Sequence, residues 1–495
     1  MTQILDALLQ VTTEFSGFLW GAPMVILLFG TGIILTFMTG FVQVRRFAHS
    51  SRLVIRGALR REGDKGGTEE GDISPFQALM TALSATVGNG NIAGVATAIA
   101  AGGPGAAFWM WITAVFGMAT KYSESVLAIL YRQKMEDGTM AGGPMYYCRY
   151  GIRNKRLGAF LGGFFAVCGG LTALFGTGNM FQSQSIALAA QQQFNIPEWI
   201  TGLVVAVSVG LVIIGGIQRI GRVAERLVPS MILFYFAGTL LVILSNVEQL
   251  PSALKLIVYS AFSPQAALGG AVGIGIQQAI RFGVARGILS NESGLGSAAI
   301  AHGAARTRYP VIQGGIAMMG TFIDTIIVCT LTALTIVVSG AYQSSTLLVP
   351  GIGLSGADLT VHAFNIGMPA MIAGWGGTIV VLSSLIFGFT TLLGWSYYGQ
   401  ICFEYLLGLK AIKPYRVAFV CLLFLGSIFT GGYAPIVTNV GDIFNAAMAF
   451  PNLIGLILLS GVVAGVTRES YRKKKLGVRP VTPMDQADRQ EHSID

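Results

Sequence analysis

Five consecutive residues, Val87-Gly88-Asn89-Gly90-Asn91, interrupt an otherwise apolar run that extends from Pro75 to Ala101. Glycine and asparagine disfavour continuous helix. At bilayer depth they favour an unwound hinge whose free N–H groups hold an anion and whose free carbonyls hold a cation. The competing reading is a glycine-packed crossing point with asparagines bonded to neighbouring helices. A second interruption is expected in Gly269–Gln278, where Gly273 and Gly275 precede Gln277 and Gln278. Further along, Phe387-Gly388-Phe389-Thr390-Thr391 places adjacent hydroxyls in an apolar stretch. Those oxygens suit a hard cation, or else bond back onto their own helix. Trp395, four residues on, fits the cap of a pocket or a packing role. Phe175, Asn179 and Gln182 recur at i, i+4 and i+7 and share one helical face. Gln182 and Gln184 also fit a polar stripe at a vestibule.

Charged residues inside apolar runs are functional candidates. Lys121 and Glu124 stand one turn apart and can neutralise each other. Asp324 is isolated in its run, and suits a proton or cation site or a hydrogen-bonded structural acid. Glu292 is expected to pair with Arg281 or Arg286 at an inner gate.

The elements that position these residues must be membrane spans. The chain has 495 residues, 53% hydrophobic and 11% charged, with a mean hydropathy of +0.66. Soluble domains carry about a quarter charged residues, so lipid must be the solvent here. Apolar runs fall near residues 17–41, 74–101, 106–130, 158–190, 199–216, 227–245, 267–288, 311–338, 371–406, 415–432 and 440–466. Basic residues crowd alternate connections and the tail, which together hold 30 of the 32 Lys and Arg. Basic residues mark the cytoplasmic side of spans. The alternation predicts eleven spans with the N-terminus outside and the C-terminus cytoplasmic. The first residues lack a basic n-region, so no removable signal peptide is expected.

The expected organisation is an extra N-terminal span (1–44), a cytoplasmic loop (45–73), two five-span blocks (74–246 and 247–466) and a cytoplasmic tail (467–495). An odd number of spans per block inserts the two blocks with opposite orientation, which is the inverted repeat of many secondary transporters.

Several classes are excluded by what the chain lacks. Five scattered cysteines form no CxxC pair, and the four histidines form neither a metal set nor an HExxH motif. No GxSxG elbow or other catalytic constellation is present, and no filter sequence suggests a channel. The excess positive charge follows the loops, so nucleic acid is not the partner. Neither an enzyme nor a cofactor is expected.

The chain also resembles the alanine/glycine:cation symporter family. The resemblance is carried by Gly102-Gly103-Pro104-Gly105-Ala106-Ala107-Phe108-Trp109-Met110-Trp111, by Val87 to Gly94, by Gly142-Gly143-Pro144-Met145-Tyr146-Tyr147 and by Arg281 to Ala299. It extends from about residue 17 to 465. Two positions depart from the family pattern: Ala107 replaces a larger aliphatic residue, and Asn89 stands where relatives often have Thr or Ser. The resemblance implies a leucine-transporter-type fold and sodium-driven uptake of alanine, glycine or a similar neutral amino acid through the cell inner membrane. It also implies a sodium site of Ser84 and Val87 carbonyls, the Phe387 carbonyl, and the Thr390 and Thr391 hydroxyls. A second site near Asn91 is conceivable. The substrate carboxylate would meet the N–H groups of Asn89, Gly90 and Asn91, and its ammonium would meet carbonyls at Gly273–Gly275. Proton coupling through Asp324 or Glu124 is the alternative.

Overall fold

Apolar helices dominate the chain. The computed structural model describes residues 2–59, 70–176, 178–262, 276–345, 353–429 and 434–475. Among these, seven helices are long and apolar enough to cross a bilayer: Leu5–Met38, Lys155–Phe194, Gly216–Ser245, Pro310–Val338, Gly376–Leu407, Leu409–Ile428 and Ile436–Leu458. The remaining expected spans are built from shorter or more polar pieces, such as Glu198–Ile213 and the charge-bearing Gly105–Leu130. Large apolar side chains including Ile26, Leu203, Leu211, Leu233 and Val417 project outward. That is the arrangement lipid stabilises and water does not.

Two of the expected spans are interrupted differently from the sequence expectation. The apolar run 17–41 is preceded by a further helix, Thr2–Leu19, and begins again at Ala22–Met38. The run 158–190 is two helices, Lys155–Phe175 and Met180–Phe194. Between them Gly178 packs so tightly against Trp395 that a Cβ there would lie 2.7 Å from the indole. A longer side chain at this joint would displace the ring.

The expected hinge at Val87–Asn91 is present. Helix Pro75–Thr86 starts with a capping box between Ser74 and Gln77, which satisfies its first free N–H groups. It stops at Val87, whose backbone is extended (ψ 97°). The chain resumes as a π-helical segment, Gly90–Gly94, and continues as Val95–Gly102. Widened turns of this kind free carbonyls from the helical ladder. Two of them are captured from outside: Thr332 Oγ1 donates to the Asn91 carbonyl (2.8 Å) and Thr360 Oγ1 to the Ile92 carbonyl (3.1 Å).

The second described break lies at Glu292–Gly296, between helices Ile276–Asn291 and Ser297–Gly303. Glu292, Gly294 and Gly296 all have positive φ (54°, 96° and 83°), a backbone that ends helix propagation. The interruption expected from the sequence at Gly273 and Gly275 lies outside the described residues.

The two broken helices run side by side in opposite directions. Ile73 pairs with Ala305 at one end, where Arg132 also donates to the carbonyls of Ala305, Thr307 and Glu70. At the other end Gly102 abuts Gln278 and Phe282. Arg281 and Arg286 therefore belong to the Gly102 half of the molecule, and only Arg306 and Arg308 to the Ser74 end. The count of 30 basic residues in alternate connections and the tail placed Arg281, Arg286, Arg306 and Arg308 together at one crossing, and the packing separates the first two from the last two. Glu292 does not pair with either arginine; Arg286 instead faces Asp442.

Candidate functional site

The two breaks meet in the buried interior. Asn91 is the joint. Its Oδ1 accepts from the Gly88 N–H (2.9 Å), which holds the unwound turn. Its Nδ2 donates to Asp324 Oδ1 (2.8 Å) and approaches Cys329 Sγ (3.3 Å). The other carboxylate oxygen of Asp324 accepts from Ser290 Oγ (2.9 Å) and Thr325 Oγ1 (2.8 Å). Ser290 stands just before the second break and its Cα is 3.8 Å from a Cβ position at Gly90. Asp324 lies in a second π-helical segment, Phe322–Cys329. One carboxylate thus ties both breaks to a third span. Asn91, Ser290 and Asp324 are all buried, where an unsatisfied polar group costs about 1–3 kcal/mol.

A second convergence involves the Gly376–Leu407 helix. Gly88 faces Thr391 so closely that a Cβ at Gly88 would lie 2.7 Å from the hydroxyl. Gly394 abuts Ser84 and Ala85 in the same way, with Ser84 Oγ at 2.9 Å from its Cβ position. Ser84, Val87, Phe387 and Thr391 are therefore brought together, all buried. The hydroxyls of both Thr390 and Thr391 donate to the Phe387 carbonyl (3.0 and 2.9 Å). Thr390 Oγ1 also contacts Met231 Sδ (3.3 Å) on the Gly216–Ser245 helix, so its hydroxyl is turned from the hinge.

On the Gly102 side of that contact, Asn89 bridges two helices. Its Nδ2 donates to Gln182 Oε1 (3.1 Å) and its Oδ1 accepts from Ser384 Oγ (2.6 Å). On the Ser74 side, Trp395 Nε1 donates to Glu292 Oε1 (3.2 Å), and Ser297 Oγ donates to Glu292 Oε2 (2.5 Å). Trp395 thus links the Gly376–Leu407 helix to the second break.

Other expected residues make contacts outside these two networks. Asn179 Nδ2 donates to the Phe419 carbonyl (2.9 Å) while its Oδ1 has no hydrogen-bond partner among the described residues. Phe175 ends its helix partly buried against the larger apolar core. Gln184 bonds the Phe429 carbonyl and takes no part. Lys121 and Glu124 do not neutralise each other by contact, since Lys121 Nζ and Glu124 Oε2 both lack hydrogen-bond partners among the described residues. Glu124 Oε1 instead accepts from the N–H groups of Gly294 and Gly296 (3.0 and 3.1 Å) and from Asn452 Nδ2 (2.7 Å). Ser290, Ser384 and Thr332 were not singled out from the sequence, because a lone hydroxyl in an apolar run carries no signal of its own.

Paired broken helices, packed antiparallel with their breaks in contact, define a membrane transporter of the secondary type rather than an enzyme or a channel. The chain belongs to the sodium:alanine symporter family, whose model matches residues 5–483. It is 48% identical to the sodium/alanine symporter AgcS of Methanococcus maripaludis, over 93% of this chain and 96% of that protein. It is 38% identical to the probable sodium/glutamine symporter GlnT of Bacillus subtilis, over 97% of this chain and 94% of that protein. Among solved structures, a manganese transporter of Eremococcus coleocola superposes with a TM-score of 0.50 at 13% identity, covering 87% of this chain and 95% of that one. That likeness concerns the fold alone.

Proposed function

We propose that the protein couples inward sodium movement to uptake of a small neutral amino acid, alanine or glycine, by alternating access across the cell inner membrane. The observation that carries this reading is the meeting of both helix breaks at Asn91, Asp324 and Ser290, beside the Gly88–Thr391 contact. A zwitterion needs N–H donors for its carboxylate and oxygen acceptors for its ammonium. The hinge peptides Asn89 and Gly90 supply the first, whereas the Asn91 N–H expected to join them already donates to the Gly88 carbonyl (3.0 Å). Gln182, Asn179 and the carbonyls of the second broken helix supply the second, with Gly273 and Gly275 retained as candidates from the sequence. Trp395 closes the pocket from the Ser74 side.

Two sodium sites fit the oxygen chemistry of a hard cation. One comprises the Ser84, Val87 and Phe387 carbonyls with Thr391, joined by Thr390 once its hydroxyl rotates. The other comprises Asp324, Asn91 and Ser290, where the carboxylate gives charge compensation that a neutral hinge lacks. The blocks 74–246 and 247–466 act as inverted repeats, with the Ser74 end cytoplasmic, the N-terminus outside and the C-terminus inside. Each sodium that crosses with a neutral zwitterion gains about 2.3 kcal/mol per 100 mV.

Uptake of labelled alanine by proteoliposomes tests the reading. An inward sodium gradient should drive accumulation, and potassium in its place should not. Equal uptake in potassium overturns sodium coupling and leaves a proton-coupled carrier through Asp324. A second reading, preference for a larger neutral amino acid such as glutamine, is favoured by the Asn89–Gln182 bond, which puts two amides at the pocket. Competition by unlabelled glycine, D-alanine and glutamine in the same assay separates the two.

A further inference from the structure

Lys121 is an unexplained charge. It sits at mid-length of the Gly105–Leu130 helix, 3% exposed, and its ammonium has no hydrogen-bond partner among the described residues. Among the described residues it forms no ion pair. Three buried carboxylates, Glu124, Glu292 and Asp324, lie within electrostatic reach, as does His302 on the short helix after the second break. The helix face it occupies abuts the moving parts. One turn earlier, a Cβ at Gly117 would lie 3.0 Å from Ser293 Oγ in the second break and 3.5 Å from Thr321, one turn before Asp324.

An ammonium buried without a contact partner is costly, and persists only where nearby negative charge compensates it. Here the imbalance runs the other way, with three carboxylates against one ammonium. Glu124 has one oxygen fully engaged by the break, and Glu292 is held by Trp395 and Ser297. Asp324 is held only by neutral donors, those of Asn91, Ser290 and Thr325. On the sodium-symport reading above, on which this inference rests, a cation neutralises Asp324 while the carrier is loaded. After sodium leaves, that carboxylate must cross back through the cycle with no ion beside it.

We propose that Lys121 is the internal counter-ion of the empty carrier, its ammonium moving toward Asp324 and Glu292 when sodium has left. The four-carbon stem of lysine gives the reach, and a compact point charge needs no fixed acceptor geometry. Lys121 is a positioning residue, since it touches neither substrate nor sodium. Its role is confined to the return half of the cycle, which makes it separable from binding.

Two assays on the reconstituted full chain separate the halves. Net sodium-driven alanine uptake requires the empty carrier to return. Alanine–alanine exchange with sodium on both sides cycles only the loaded carrier. Lys121→Met should keep exchange within about two-fold of the unmodified chain while net uptake falls at least about ten-fold. Lys121→Arg, which keeps the charge, should retain more net uptake than the Met variant. Equal loss of exchange and uptake, or full uptake by Lys121→Met, overturns the proposal. Should Lys121→Met fail to insert, Lys121→Gln is read in its place. Failure of both to fold also overturns it, because the ammonium has no assigned part in the loaded structure. An unmodified chain that shows neither sodium-dependent uptake nor exchange refutes instead the symport reading on which the proposal rests.

Discussion

Asp324→Asn is the substitution that most sharply tests the second sodium site. The carboxamide has nearly the same shape and keeps an oxygen for Asn91 Nδ2. At the other position its NH2 meets Ser290 and Thr325, whose hydroxyls now donate to Asp324 but accept equally well. The folding cost is therefore small, about 1 kcal/mol. What disappears is the charge. Two unit charges 4 Å apart attract by about 4 kcal/mol at an effective dielectric of about 20. At about 1.4 kcal/mol per decade that is nearly a thousand-fold in sodium affinity, and the remaining amide oxygen offsets part of it. Alanine uptake measured as a function of sodium concentration should show half-saturation raised by at least about a hundred-fold. Half-saturation within about three-fold of the unmodified chain, less than about 0.7 kcal/mol, would refute the assignment of Asp324 as a sodium ligand.

Three further outcomes follow from the same geometry. Gly88→Ala places a Cβ 2.7 Å from Thr391 Oγ1 and should abolish uptake, whereas Gly94→Ala, with nothing within 4 Å, should leave it intact; comparable uptake by both variants contradicts the Gly88–Thr391 contact. Asn89→Thr removes the bridge between Gln182 and Ser384 and frees the Gln182 amide. The ratio of glutamine to alanine uptake should rise a few-fold, about 1 kcal/mol of discrimination, and an unchanged ratio denies Asn89 a part in selectivity. Trp395→Phe keeps the ring against Gly178 but leaves Glu292 Oε1 without its indole donor. The variant should lose about 1–3 kcal/mol of stability, read as a lower melting temperature in detergent than that of the unmodified chain.

The first broken helix was legible because Gly88, Asn89, Gly90 and Asn91 stand together in an apolar run, and local propensity decides a local interruption. The second was not. Its break is made by positive φ at Glu292, Gly294 and Gly296, in a segment whose charge and polarity read as a connection between spans. The glycine run ending at Gly275 lies outside the described residues. Counting Arg281 and Arg286 with Arg306 followed from reading 289–310 as a plain connection between spans, because the positive-φ turn at Glu292–Gly296 carries no apolar-run signature. The sodium-site candidates Ser84, Val87, Phe387 and Thr391 came from family resemblance, and the fold brings them together; only the hydroxyl direction of Thr390 differed. The Asn91–Asp324 bond joins residues 233 apart. No periodicity encodes such a pair. It arises from the antiparallel packing of whole spans, and π-helical turns at both residues set its register.

Coupling itself is tested most directly by letting the amino-acid gradient drive sodium. Proteoliposomes with equal sodium on both sides, and an inward alanine gradient alone, should take up labelled sodium above its external level. The same gradient should move no sodium through the Asn91→Ala variant. Alanine entry without sodium movement in the unmodified chain would contradict the account at its centre.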